Sequence, residues 1–364
     1  MVHKKKHQDT DSLNSTNSQS EFTNNAALEE FKNLRKIQPS ADELIQGILS
    51  GNRTTLSRAI TLIESSKPDH LQKANTIINA CLPKANQSIR IGISGIPGVG
   101  KSTFIEAFGK HLTSIGKKVA VLTIDPSSTV SHGSILGDKT RMEELTKDQN
   151  AYIRPSASGE NLGGVARKTR ETIILCEAAG FDIILIETVG VGQSETAVHS
   201  MVDFFLLLQV TGTGDELQGI KRGIIEMADA IVINKSDGDN IQKAALAKAQ
   251  INQSLHYFVA KKSGWTPLAI TCSSKTQEGI NEIWEIISNY VEHTQSNGYF
   301  DAKRTEQNEF WLIETIDQQL KNDFFSNSEI QKLLEKTKKA VQNNEFSPFA
   351  AAQLLLETYF KSKD

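Results

Sequence analysis

The chain has 364 residues, which fits one large domain with appendages or two domains. Its 40 Lys and Arg against 43 Asp and Glu give a formal charge of −3, without the basic excess of a general nucleic-acid binder. The longest apolar run, Phe204–Leu208, is strand-sized and far short of the roughly 18–20 residues that cross a bilayer. Cys81, Cys176 and Cys272 are scattered and form no CxxC pair, which excludes a disulfide scaffold and a thiolate zinc site.

Residues 1–30 are Ser, Asn, Gln, Thr and Lys with little to bury, and a disordered tail is expected there. His3 and His7 beside a lysine run lack the further ligands of a metal site. This start has neither an apolar h-region nor arginine, so no secretory or organellar leader is expected and the cytoplasm is the default compartment. Residues 31–86 read as a helical N-terminal segment, with apolar stripes at Leu44/Ile45/Ile48/Leu49, Leu56/Ile60/Ile63 and Leu71/Ala74/Ile77/Ile78.

The pattern changes over 87–296. Strand-like runs at Ile91–Ser94, Val119–Ile124, Ile183–Glu187, Phe204–Val210, Ile231–Asn234 and Leu268–Thr271 alternate with helical stretches. That alternation predicts an α/β fold with a mostly parallel sheet covered on both faces. Over 297–364 the helical period returns, with stripes at Phe310/Ile313/Ile316/Leu320 and Ile330/Leu333/Leu334/Val341. A third apolar cluster comprises Phe349, Leu354, Leu355, Leu356, Tyr359 and Phe360. A terminal helical arm with this much apolar surface covers its own core or a partner's.

The strongest chemical signal is Gly95-Ile96-Pro97-Gly98-Val99-Gly100-Lys101-Ser102, a G-x-x-x-x-G-K-[ST] pattern between an apolar strand and a helical run that opens at Thr103. Its glycines let backbone N–H groups curl around a phosphate, and the helix N-terminus adds partial positive charge. Lys101 is placed to reach β- and γ-phosphates, and the Ser102 hydroxyl to ligate Mg²⁺. Asn234-Lys235-Ser236-Asp237 follows another apolar strand. A carboxylate there accepts from the N1–H and exocyclic amine of guanine, a donor pair that adenine lacks. Farther on, Ser273, Ser274 and Lys275 follow the last strand, where a loop closes over the base.

Two further segments stand at strand ends, where ligands sit in open α/β sheets: Asp125-Pro126-Ser127-Ser128 after the second strand and Glu187-Thr188-Val189-Gly190 after the third. Carboxylates at these places hold Mg²⁺ directly or through water, and Gly190 lets a backbone N–H meet the γ-phosphate. Asp138 is another carboxylate within reach of a metal, with a helix N-cap as its other reading.

On GIPGVGKST (95–103), IDPSS (124–128), GSILGDKTRM (133–142), RPSASGENLGG (154–164), ETVGVGQSE (187–195), GDELQGIKRGIIEMAD (214–229) and NKSD (234–237), the chain resembles the MeaB/ArgK-type P-loop GTPases. This is the methylmalonyl-CoA mutase-associated group, related to the metallochaperone GTPases. The resemblance runs from about residue 40 to the end. It implies a homodimeric GTPase that chaperones an adenosylcobalamin-dependent acyl-CoA mutase and gates its cofactor loading; the C-terminal arm is expected to form the dimer, with packing against the G domain as its other reading. It puts nucleotide on Gly95–Thr103, Asn234, Lys235, Asp237 and Ser273–Lys275, and Mg²⁺ on Ser102 with Asp125, Asp138 and Glu187 around it. It makes 211–222 an additional switch that answers the partner, with Lys221 a catalytic or coupling residue beside Lys101 and Glu187.

Where Ras-like proteins carry a water-orienting glutamine this chain has Val191, with Gln193 two residues on, so slow intrinsic hydrolysis accelerated by a partner is expected. A nickel-type metallochaperone would need Cys/His ligands that the sequence does not group. A kinase acting on amino-acid transport binding proteins runs against NKSD and the absence of H-R-D and D-F-G motifs.

Overall fold

The structure, a computed structural model, describes residues 39–65, 67–124, 142–155, 162–188, 194–211 and 222–362. Three short helices come first: α1 (Ala41–Leu49), α2 (Arg53–Glu64) and α3 (Pro68–Cys81). Asn52 caps α2, its side chain accepting from the Thr55 amide at 3.0 Å, which satisfies one of the free N–H groups of the first turn. Their stripes bury Leu44, Ile48, Leu56, Ile60, Ile63, Ala74 and Ile77 against the body of the protein, whereas Leu49 and Leu71, 39% and 36% exposed, lie outside the stripes expected of them.

Seven strands follow: β1 (Ile89–Gly95), β2 (Val119–Ile124), β3 (Ala151–Pro155), β4 (Ile183–Thr188), β5 (Phe204–Gln209), β6 (Ala230–Ile233) and β7 (Leu268–Thr271). They form one sheet in the order β3-β2-β4-β1-β5-β6-β7, and every ladder is parallel. β2, β4, β5 and β6 are buried along their whole length, as parallel strands covered on both faces must be. The sequence pattern missed β3. It is an edge strand of five residues, its apolar run is broken by Arg154 and ended by Pro155, and it pairs only with β2. Glu187 therefore ends the fourth strand, not the third.

The strands are joined by α4 (Lys101–Ser114), α5 (Glu143–Lys147), α6 (Leu162–Ala178), α7 (Ser194–His199), α8 (Arg222–Met227) and α9 (Ile241–Leu255), with α10 (Ile280–Ser296) after β7. Side chains alternate across the sheet. Ile91, Ile93, Leu206 and Leu208 meet α4 and α10 on one face, and Ile184, Ile186, Phe205 and Leu207 meet α1–α3, α6 and α7 on the other. Gly92 lies on this second face under α7; a Cβ there would stand 2.8 Å from a Val198 methyl, so α7 rests directly on the β1 backbone.

The chain ends in α11 (Tyr299–Ser326), α12 (Ser328–Gln342) and α13 (Pro348–Lys361). The start of α11 is bound to the N-terminal end of the sheet by a buried ionic network. Arg90 pairs with Glu177 at 2.8 Å with both side chains fully buried, and Arg304 pairs with Asp203 at 2.7 Å. Beyond Trp311, α11 leaves the body. Phe310, Ile313, Ile316 and Leu320 are 47–58% exposed, and Ile330, Leu355 and Tyr359 make a small separate core between the last helices.

Candidate nucleotide site

The described candidate residues converge on the C-terminal ends of β1, β4, β6 and β7, beside the crevice where an open α/β sheet binds ligands. β1 turns into α4 through Gly95–Gly100. A Cβ on Gly95 would come within 2.6 Å of the Leu208 carbonyl oxygen, so only glycine lets the loop leave the sheet this tightly. Gly100, at φ +93°, precedes α4 in the left-handed region, and no side chain caps the helix. The N–H groups of its first turn are thus offered to an anion, with the helix dipole behind them.

Lys101 is buried and folds back over the loop, its Nζ donating to Gly95 O at 2.8 Å and Ile96 O at 3.3 Å. Burial lowers its pKa, opposed by the charges of Glu187 and Glu195. The Ser102 hydroxyl stands 3.5 Å from Glu187 Oε1, and Glu187 is 8% exposed at the end of β4. A hydroxyl and a carboxylate side by side next to an anion receptor form a hard-oxygen donor set, which suits Mg²⁺. Among the described residues no three His, Cys, Asp or Glu side chains group as a metal site, and Asp125, Asp138 and Lys221 lie outside the described residues.

The second half of the site is a set of clamps. Asn234, 1% exposed, donates through Nδ2 to Val99 O at 3.0 Å, and its Oδ1 accepts from the Ser274 amide at 3.2 Å and hydroxyl at 2.8 Å. This one amide ties the phosphate loop to the loop after β7. Lys235, at φ +60°, lays its ammonium on Gly98 O at 2.8 Å. Asp237 accepts from the Ser273 hydroxyl at 2.6 Å, which holds the carboxylate against the loop after β7, while Lys275 in that loop is exposed.

Sequence reasoning missed several residues here. Ser94 and Thr188 share a buried hydroxyl–hydroxyl bond of 3.0 Å beneath the site, and Asn240 donates to Lys235 O at 2.8 Å. Glu195, 2% exposed, is a further carboxylate acting on Lys101. Thr188 and Glu195 had a signal, as the second and last letters of ETVGVGQSE, but neither was given a role.

A seven-stranded parallel sheet with a phosphate loop opening α4, a serine–carboxylate pair and a clamped NKSD loop defines the class, a P-loop NTPase built for guanine nucleotides. The profile of the family described as methylmalonyl-CoA mutase-associated GTPase MeaB matches residues 56–329, and the chain belongs to that family of GTPases. It is 45% identical over 318 residues to a probable GTPase of Mycobacterium tuberculosis, covering 87% of this chain and 95% of the relative. It is 44% identical over 315 residues to the GTPase ArgK of Escherichia coli, covering 86% and 95%. It is also 45% identical over 338 residues to the mouse mitochondrial methylmalonic aciduria type A homolog, covering 90% and 81%. Among solved structures, one described as a LAO/AO transport system kinase is 38% identical with a TM-score of 0.69, covering 87% of this chain and 97% of that one.

Proposed function

We propose that the protein is a homodimeric GTPase that binds an adenosylcobalamin-dependent acyl-CoA mutase, methylmalonyl-CoA mutase first among such clients, and gates its cofactor loading. The observation that carries the reading is the family match over 56–329, supported by a phosphate-loop lysine folded over its loop and an NKSD loop clamped to it in the same residues. No described helix is long and apolar enough to cross a membrane. We assign the protein to the cytoplasm.

In this reading Gly95–Thr103 cradle the phosphates, Lys101 neutralises charge on the β- and γ-oxygens, and Asp237 reads guanine under the loop Ser273–Lys275. Ser102, Glu187, Asp125 and Asp138 would hold Mg²⁺, which supplies further neutralisation of the phosphate oxygens. Lys221 answers the partner. The nickel-chaperone alternative lacks ligands among the described residues. The three cysteines are buried and unpaired, and burial pushes the thiols of Cys81 and Cys272 up to about 11 and about 12, away from the thiolate a soft metal needs.

The test is GTP hydrolysis by the purified protein, alone and with an adenosylcobalamin-dependent acyl-CoA mutase of the same organism. A large rise with the mutase, absent in Lys101→Ala, is expected. No rise and no co-elution with the mutase overturns the chaperone reading and leaves the GTPase.

A further inference from the structure

We infer that α7 and α11 form a mechanical link that carries the nucleotide state of the site to the C-terminal arm. The link rests on the nucleotide site and not on who the partner is, so it stands or falls separately from the mutase reading.

α7 packs on β1 and β4, the two strands that carry Gly95 and Glu187 to the site. Ser194 and Glu195 open the helix, 1% and 2% exposed, and Glu195 is one of the two carboxylates whose charge acts on the Lys101 ammonium. A nucleotide that takes Lys101 as its counter-charge brings several negative charges towards this buried carboxylate, and the two repel. α7 is short, about 9 Å at 1.5 Å per residue. It cannot absorb the push by bending, and Val198 packed on Gly92 leaves no slack beneath it.

The tail of α7 is in the grip of α11. The connection from α7 to β5 presents three backbone carbonyls, and each takes a side-chain donor from one helix face. Trp311 Nε1 donates to Ser200 O at 3.1 Å, Gln307 Nε2 to Val202 O at 2.8 Å and Lys303 Nζ to Asp203 O at 2.7 Å. Arg304 adds a two-pronged bond to the Asp203 carboxylate, at 2.8 Å from Nε and 2.7 Å from Nη2. Positions 303, 304, 307 and 311 share a face because a helix turns once in 3.6 residues. On the far side Arg304 holds Asn86 O and Ser88 O, each at 2.6 Å, and Arg170 holds Asn308 at 2.8 Å. These contacts on the sheet base, together with Asp203, whose carboxylate also accepts from the Arg90 amide at 2.8 Å, are the fulcrum, and the Ser200–Val202 stretch of the α7 connection is the movable end.

The junction also has the unused bonds that a second arrangement needs. Gln307 Oε1, Arg170 Nη1 and Arg90 Nη1 are buried and have no hydrogen-bond partner among the described residues. Such groups are costly to leave unmade, so a small shift that pairs them is favoured once α7 moves. Because α11 is exposed beyond Trp311, a tilt at the grip swings the whole arm without breaking other packing.

The link is tested by double electron–electron resonance on the full chain, spin-labelled at Lys243→Cys on α9 and Lys321→Cys on α11 and diluted with unlabelled protein. The distance is measured with GDP and with a non-hydrolysable GTP analogue. We expect it to differ between the two nucleotides in the parent protein, and the difference to vanish in Gln307→Met/Trp311→Phe, which removes two donors and keeps their volume. A parent distance that ignores the nucleotide, or a difference that survives in the double variant, overturns the link. Should the double variant fail to fold, Trp311→Phe alone is read in the same way.

Discussion

The side-chain amide of Asn234 bonds Val99 O at 3.0 Å through its nitrogen and both donors of Ser274 through its oxygen. One side chain thereby fixes the distance between the loop proposed to hold phosphate and the loop proposed to close over the base, at opposite ends of a nucleotide. Asn234→Ala leaves buried partners unpaired and should cost about 1–3 kcal/mol of stability. Its larger effect falls on binding: with the loops untied, affinity for a fluorescent guanine nucleotide should drop roughly tenfold or more. Unchanged affinity in a folded variant would mean that the clamp does not position the site.

Asp237 is held by Ser273 at 2.6 Å, and an asparagine there can keep that bond through its own carbonyl. In the proposed site the carboxylate is the acceptor for the two donors on the guanine edge, whereas xanthine presents a carbonyl where guanine has its amine. Asp237→Asn should therefore lose GTP affinity on the order of 10²-fold, because a site built around hydrogen bonds rejects a mismatched edge steeply. It should gain XTP affinity. Competition of GTP and XTP against a labelled nucleotide checks both, and a variant that keeps its GTP preference removes Asp237 from base recognition.

The parts of this molecule legible in its sequence are those set by local constraint. Gly95 and Gly100 announce themselves because the loop geometry admits no Cβ, and β2, β4 and β5 because a strand buried on both faces must be apolar throughout. β3 was hidden because an edge strand tolerates Arg154, whose guanidinium is held by Glu64 from α2. Asn234 was visible as one letter of NKSD, but its work as a clamp depends on the fold bringing Val99 and Ser274 to it. Arg304 and Gln307 sit among polar and charged neighbours and Trp311 within the apolar run Phe310–Ile313, so nothing local marks them as a group, and only the tertiary contact with 200–203 sets them apart.

Asp203 and Arg304 are both buried, and Arg304 also lies over the Phe300 ring at 4.4 Å. Burial pushes the Asp203 carboxyl up, but the hydrogen bonds and charge of Arg304 prevail and hold it below the usual carboxylate range. The sign is that of a depressed acid: the contribution is present at neutral pH and is lost only as pH falls below about 4. Arg304→Met strands a buried carboxylate and should cost about 3–5 kcal/mol in urea unfolding at neutral pH. Arg304→Lys keeps the charge without the fork and should fall between the two. A near-neutral Arg304→Met would show that the pair does not anchor α11.

His199, at the end of α7, stands edge-on to Phe205 with ring centroids 5.7 Å apart. Burial lowers its pKa to about 4, helped by the Lys303 and Lys261 charges and opposed by Asp229. The imidazole is thus neutral in the fold, while the unfolded chain takes up a proton at about 6.5. Proton binding by the unfolded state alone means that stability falls as pH drops from about 6.5 towards 4 and is unaffected above that window. His199→Gln should shrink the difference between urea midpoints at neutral pH and at about pH 5. An equal difference in both proteins would assign the acid lability to other groups.

Phe310, Ile313, Ile316 and Leu320 recur at three- and four-residue spacing along α11 and are 47%, 58%, 47% and 57% exposed, while Phe349 on α13 is 88% exposed. A continuous apolar face of this kind is costly in water, and a second copy of the same arm is the occupant that the proposed homodimer supplies. Among the described residues the contacts of α11 with the sheet base lie up to Trp311, and its end packs only on the last helices through Phe324, so this face lies between the two. A charge placed on it should therefore separate the protomers and leave each folded. Ile313→Asp/Leu320→Asp is expected to sediment as a monomer, with the melting of the nucleotide-binding part and its GTP affinity kept. A parent chain that is monomeric at micromolar concentration, or a double variant that still sediments as a dimer, would place the dimer contact elsewhere or remove it from the protein.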